Sequence, residues 1–263
     1  MNDIELKQNQ LVVKHNDLIQ KSKYNLTITQ QKLIAYVISL IKPTDKEFKK
    51  YEISIADFCE LCGIDKNHFY NEFTAIIDDL DSKSFWVKTD EKIYKFRWFL
   101  KAEYLYKKGK VRVILDDDMK KYLLELTQNF SKYELYNILA LKSKYSLRIY
   151  ELFKSYAYQK KKEFDIIELK EMLFATHYVN FKDFRNRVLD KAVNDINYYT
   201  DLSVSYETRM KGKKVVSIIF FIETKKHLDG YLAYRNTIEE INKRNGQING
   251  QISMFDKEES EFE

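Results

Sequence analysis

An α+β architecture in two tandem units follows from three observations. Segments with apolar residues at helical spacing alternate with β-branched and aromatic segments of period two. The order helix, short turn, helix, ribbon occurs twice, roughly 110 residues apart. Pro43 is the only proline and no Gly/Ser-rich linker appears, so the two copies are expected to pack tightly. Two helices with a tight turn, closed by a β-ribbon, make a winged helix. The predicted fold is therefore a pair of tandem winged-helix domains related by a pseudo-twofold repeat, over residues 1–127 and 128–226. A C-terminal helix and acidic tail follow over 227–263.

The elements follow in chain order. Leu33, Ile34, Val37, Ile38 and Ile41 form an amphipathic stripe from Thr29 to Ile41, ended by Lys42-Pro43. Ser54, three residues before Asp57, opens a helix over 55–62, and Gly63 turns the chain. A further helix starts near Lys66, with Phe69, Phe73, Ile76, Ile77 and Leu80 along one side. Residues 84–89, 93–106 and 111–115 read as strands, with Lys107-Lys108-Gly109-Lys110 as a charged tip. Residues 116–126 read as a closing helix. In the second copy a long helical region over 131–158 precedes a helix over 166–174 capped by Asp165. Asn180, with Asp183 three residues on, opens a helix through Tyr199. Leu202, Val204 and Tyr206, then Val216, Ile218, Phe220 and Ile222, alternate as strands around the tip Arg209-Met210-Lys211-Gly212-Lys213-Lys214. A last helix is expected to about Arg244, and the Asn-, Gly- and acid-rich residues 245–263 are expected to be disordered.

Composition excludes several classes of chemistry. The 263 residues are 44% hydrophobic and 32% charged, with mean hydropathy −0.51. The longest uncharged apolar runs, Leu33–Ile41 and Val215–Ile222, fall well short of the roughly 18 residues of a spanning helix. Met1 to Lys7 lacks the apolar centre of a signal peptide, so a soluble cytoplasmic protein is expected. Neither Gly109-Lys110 nor Gly212-Lys213 has the upstream glycine of a phosphate-cradling loop. His15, His68, His177 and His227 lie too far apart for a His-based metal motif. Cys59 and Cys62, even with His68, leave a structural zinc short of a ligand, and read as half-buried thiols. No catalytic residue, metal or cofactor is expected.

Charge is unevenly distributed. The net is +2 over residues 1–125, +7 over 126–226 and −4 over 227–263. A basic segment beside an acidic tail suits a polyanion-binding domain with a solvated appendage, against the alternative of an uninformative lysine-rich surface. At 100° per residue, Phe181, Phe184, Val188, Leu189, Ala192 and Ile196 lie on the buried side of the second copy's last helix. Lys182, Asn186, Arg187, Lys191 and Asn194 point away. Arg and Lys match guanine edges and Asn matches adenine, and residues near the helix N-terminus usually carry the readout, so Lys182, Asn186 and Arg187 lead. Arg185, at the edge of the apolar face, either reaches a phosphate or pairs with a carboxylate. The tip residues Arg209, Lys211, Lys213 and Lys214 suit phosphates. In the first copy, Lys66, Asn67, Tyr70, Asn71 and Thr74 face outwards, but Asp78, Asp79 and Asp81 follow. A solvated face competes there with a groove-binding one.

Two stretches carry a resemblance. Tyr145-Ser146-Leu147-Arg148-Ile149-Tyr150-Glu151-Leu152-Phe153 and the run from Asp183 to Asn197 (DFRNRVLDKAVNDIN) resemble the second winged-helix domain of iteron-binding plasmid replication initiators, as does the ribbon from Leu202 to Glu223. Val12 to Ile41, with Leu26-Thr27-Ile28-Thr29-Gln30-Gln31-Lys32-Leu33, is similar to the family's first domain. The resemblance implies that both winged helices enter major grooves of double-stranded DNA, one chain binding an origin repeat. It also implies a homodimer, formed through the first domain, that binds an inverted operator repeat and represses the protein's own gene. A host helicase or its loader is the implied partner. Relatives often carry a basic residue where Asn186 stands.

In the tail, Gln251-Ile252-Ser253-Met254-Phe255 resembles the peptide that docks bacterial proteins on the replicative sliding clamp, with Gln251, Met254 and Phe255 as contacts; an inert tail is the alternative. The expected function is a sequence-specific DNA-binding initiator of plasmid replication with autorepression. A dedicated winged-helix repressor is the second reading, and a nicking enzyme using a tyrosine the third.

Overall fold

The computed structural model describes residues 7–225 apart from 8 and 90, together with positions 232, 236 and 239. The first half opens with β1 (Leu11–His15), α1 (Asn16–Gln20), β2 (Ser22–Lys23) and α2 (Ile28–Ser39). Thr27 and Gln30 form a reciprocal capping box that satisfies two orphan amides and starts α2. After β3 (Tyr51–Ser54), the Ser54 hydroxyl accepts from Asp57 N at 3.2 Å and starts α3 (Ile55–Cys62). Gly63 ends α3 at φ 64°, which glycine adopts without strain, and α4 (Lys66–Ser82) follows.

Four strands come next: β4 (Ser84–Lys88), β5 (Ile93–Arg97), β6 (Phe99–Leu105) and β7 (Lys110–Leu115). The sequence reads 93–106 as one strand, but the chain breaks at Trp98, whose buried ring stacks on Phe85 with centroids 4.1 Å apart. β5 therefore joins the β2-β4-β5 sheet, whereas β6 joins β3-β7-β6. The β6–β7 ribbon turns through Tyr106–Lys108 and Gly109 at φ 60°, giving the first wing.

Two helices read from the sequence are shorter or absent. Residues 116–126 hold a single 3₁₀ turn and α5 (Lys120–Leu123), because Leu124 is already extended. Residues 131–134 of the expected long helical region belong instead to β8 (Phe130–Glu134), paired antiparallel with β1. This strand lies just beyond the expected boundary at residue 127. Its partner is more than a hundred residues away in the chain, so no local pattern announces it. Next come α6 (Tyr136–Leu139) and α7 (Lys144–Tyr156).

The second half continues with β9 (Lys161–Asp165), α8 (Ile166–Met172), α9 (Phe181–Phe184), a π-helical turn (Arg185–Leu189) and α10 (Asp190–Tyr199). β10 (Leu202–Lys211) and β11 (Lys214–Thr224) close it as a long ribbon, in the order β10-β11-β9. Positions 232, 236 and 239 are helical, within the expected last helix. Residues 245–263, including Gln251, Met254 and Phe255, lie outside the described residues.

One contiguous apolar core runs through both halves. α7 is its pillar: every residue from Tyr145 to Phe153 is buried, and the helix touches α1, α2 and β8 on the first-half side and α10 on the other. Arg148 and Glu151 of α7 are buried charges and are compensated. Lys14 Nζ and the Tyr133 hydroxyl each donate to Glu151 Oε1 at 2.5 Å. The Arg148 guanidinium donates to Ser22 O at 2.8 Å and to the Tyr24 hydroxyl at 3.2 Å. Cys59 and Cys62 are thiols outside any disulfide and are buried rather than half-buried, and burial pushes the Cys62 thiol up to about 12. Among the described residues no group of three metal-ligating side chains occurs, and no helix is long and apolar enough to cross a membrane.

Candidate nucleic-acid interface

The helix from Phe181 to Tyr199 starts where its sequence says it should. Asn180 Oδ1 accepts from Asp183 N at 2.8 Å, and Asn180 Nδ2 donates to the Asp183 carboxylate at 2.6 Å. Phe184, Val188, Leu189, Ala192 and Ile196 are buried, and Phe181 is half-buried against the core. On the opposite side Lys182, Asn186, Arg187, Lys191 and Asn194 are all exposed. Lys182, Arg187 and Lys191 form no ion pair among the described residues. The apolar stripe has done the sorting: once it docks on α7 and the sheet, the polar residues can only face outwards.

The sequence does not foretell a π turn. Asp190 N donates to Arg185 O, one residue further than an α-helix allows, which widens the helix over Arg185–Leu189 where Asn186 and Arg187 project. Such turns commonly mark functional sites. Arg185 is exposed and takes the carboxylate alternative: its Nε lies 3.9 Å from Asp190 Oδ2 and donates to Asn186 Oδ1 at 3.4 Å.

The wing is tied to this helix. The Tyr206 hydroxyl on β10 donates to Asp190 Oδ1 at 2.5 Å, and burial with this bond pushes the phenol well above its ordinary range. Asn197 clasps Val204 on both sides, donating to its carbonyl at 2.8 Å and accepting from its amide at 2.6 Å. At the tip, Gly212 holds φ 62°, and Lys211, Lys213 and Lys214 are exposed with no ion pair among the described residues. Arg209 is exposed too but pairs with Glu163 at 3.1 Å, so it is the least available of the four tip cations.

Sequence reasoning misses Lys170. From α8 its ammonium donates to Tyr178 O at 2.6 Å and Val179 O at 3.3 Å, fixing the turn before the helix. No charge or period pattern marks it, because its partners are backbone carbonyls.

The first half is less complete. Asn71 is exposed, but Thr74 is half-buried and its hydroxyl donates back to Tyr70 O at 3.0 Å. Tyr70 does not face outwards as expected; its ring packs on the core and its hydroxyl is buried. The side chains of Lys66 and Asn67, like that of His68, lie outside the described residues. Two of the following acids are engaged within the protein, Asp78 accepting from the Tyr104 hydroxyl at 2.5 Å and Asp79 pairing with Lys83 at 2.6 Å.

Comparison with known proteins agrees with this architecture. The family model described as "Initiator Replication protein, WH1" matches residues 11–154, and "Initiator Rep protein, WH2" matches 165–222. A replication initiation protein of Escherichia coli is 26% identical over 233 residues, covering 83% of this chain and 71% of its own length. The crystal structure of Pi initiator protein in complex with iteron DNA superposes with TM-score 0.71 at 20% identity, covering 83% of this chain and 99% of that one, a likeness of fold. With two winged helices in this order, and a family model spanning more than half of its residues, the chain belongs to the family of initiator replication proteins.

Proposed function

We propose that this initiator binds the repeats of a plasmid origin as sequence-specific duplex DNA, through the second winged helix above all. The observation that carries the reading is the outward face of Lys182, Asn186, Arg187, Lys191 and Asn194, joined to a wing tip whose lysines are exposed. Bidentate or amide side chains on a helix read base edges, whereas tip lysines neutralise phosphates. Pi initiator protein, similar in fold, is known in complex with iteron DNA, which supports the reading.

No catalytic group is needed. Binding energy at adjacent repeats can distort a neighbouring AT-rich stretch and admit a helicase or its loader. A homodimer acting at an operator as an autorepressor, and a tail contact through Gln251, Met254 and Phe255 with the sliding clamp, belong to the same reading. A tail peptide of residues 247–260 that fails to bind clamp would remove the last of these.

The test is a salt titration of binding to duplex DNA from the gene's own flanks. Each phosphate neutralised adds about 0.9 to the slope of log affinity against log salt, so a steep negative slope is expected. A nearly flat isotherm between low and moderate salt would refute the proposal.

A further inference from the structure

Val179 is the most exposed large apolar side chain among the described residues, at 89%. It stands directly before the helix cap Asn180, where a recognition helix meets base edges. An isolated exposed apolar residue on a loose loop would mean little. This one is on a fixed turn. Lys170 Nζ holds the carbonyls of Tyr178 and Val179, Tyr178 N donates to Ala175 O at 3.1 Å, and Asn180 is locked by two bonds to Asp183. Lys170 is itself seated over the Phe184 ring, 5.3 Å from its centroid, so the turn is anchored to the buried side of the same helix. The turn directs its one isopropyl group into solvent at the end of the helix carrying Lys182 and Asn186.

The major groove offers one apolar group, the thymine 5-methyl. Resting on the DNA-binding reading above, we infer that Val179 is a specificity-determining residue that packs on a thymine methyl at the edge of each bound repeat. Lys170 is its positioning residue. Lys182, Asn186 and Arg187 supply polar readout; Val179 adds an apolar one at the neighbouring base.

The full-length chain selects its site from a randomised duplex library, and each thymine of the selected site is then replaced singly by deoxyuridine, which removes only the methyl. Burying one methyl is worth about fourfold in affinity. One thymine is expected to show that loss with the wild type and none with Val179→Ala, while Arg187→Ala retains it. Because Val179 is exposed, V179A should melt with the wild type. Lys170→Met is expected to shrink the methyl effect at that same thymine without changing the salt slope. The inference is overturned if wild type and V179A respond identically to every deoxyuridine. A library that yields no enriched sequence overturns the DNA-binding reading and this inference together. An enriched site with no methyl effect overturns only this one.

Discussion

Arg187 and Lys213 are both exposed cations, yet they are placed for different work. Arg187 projects from the helix, where a guanidinium can bridge two acceptors of guanine. Lys213 sits on the ribbon tip as a point charge. Arg187→Ala is expected to cost about 1–3 kcal/mol and to relax selection at one base pair, read by competition with single-site variants of the selected duplex. Lys213→Ala should weaken binding to every sequence alike and lower the salt slope by about 1. The outward residues were legible because they lie opposite an unbroken apolar stripe. Tyr70 was not, because a tyrosine beside the apolar stripe of a helix can lay its ring on the core despite its polar tip, and only the neighbouring elements determine whether it does.

Caps and turns control how the helices and ribbons hold these residues. Asn180→Ala removes the acceptor for Asp183 N and the partner of its carboxylate, and should lower stability by about 1 kcal/mol, measured by urea denaturation. Affinity should fall with it, since the same cap positions Lys182. Gly212 has open space around its Cα but φ 62°, so Gly212→Ala is limited by backbone strain and not by collision. A cost of about 1–2 kcal/mol is expected in thermal unfolding, with Gly212→Asn milder because asparagine tolerates the left-handed region. Caps at Ser54, Asp165 and Asn180, and the turns at Gly63, Gly109 and Gly212, could be read from the sequence because each is a local interaction. The π turn at 185–189, the break at Trp98 and the strand at 130–134 could not. The strand at 130–134 depends on a partner more than a hundred residues away, the break at Trp98 on the packing of its ring against Phe85, and the π turn on a backbone bond that no side-chain pattern marks.

At the scale of the molecule, α7 joins the two winged helices through buried ionic bonds. Burial alone would raise the Glu151 carboxyl, but the charges of Lys14 and Arg148 and the bonds from Lys14 and Tyr133 outweigh it and hold the group below the usual carboxylate range. A carboxyl depressed in the folded state stabilises it above the unfolded value of about 4.3, and that stabilisation is lost as pH falls through the folded value. Urea midpoints are therefore expected to drop steeply below about pH 4.3. Lys14→Met should cost about 3 kcal/mol near neutral pH by leaving buried charge under-compensated, and should shrink the loss of stability below about pH 4.3, because the folded carboxyl is then less depressed. A pH profile unchanged in that variant would show that the pair is not coupled to folding. On the other side of α7, the Tyr150 hydroxyl and Lys154 both bind Asp201, 2.8 and 2.7 Å away, two residues beyond the end of α10. The pillar thus links the N-terminal strands to the segment that presents Arg187.

The repeat of helices and ribbons, the outward cationic side of 182–194 and the charged tip at 209–214 are consequences of sequence alone. They rest on interactions within a few residues and on an apolar period that allows one orientation. The partner of β1, the burial of Arg148 and Glu151, the widened turn beneath Asn186 and the fixed stance of Val179 were decided only in three dimensions. The first two depend on groups distant in the chain, which meet only when α7 is enclosed by both halves; the last two depend on backbone and ammonium contacts that leave no mark in the pattern of residue types.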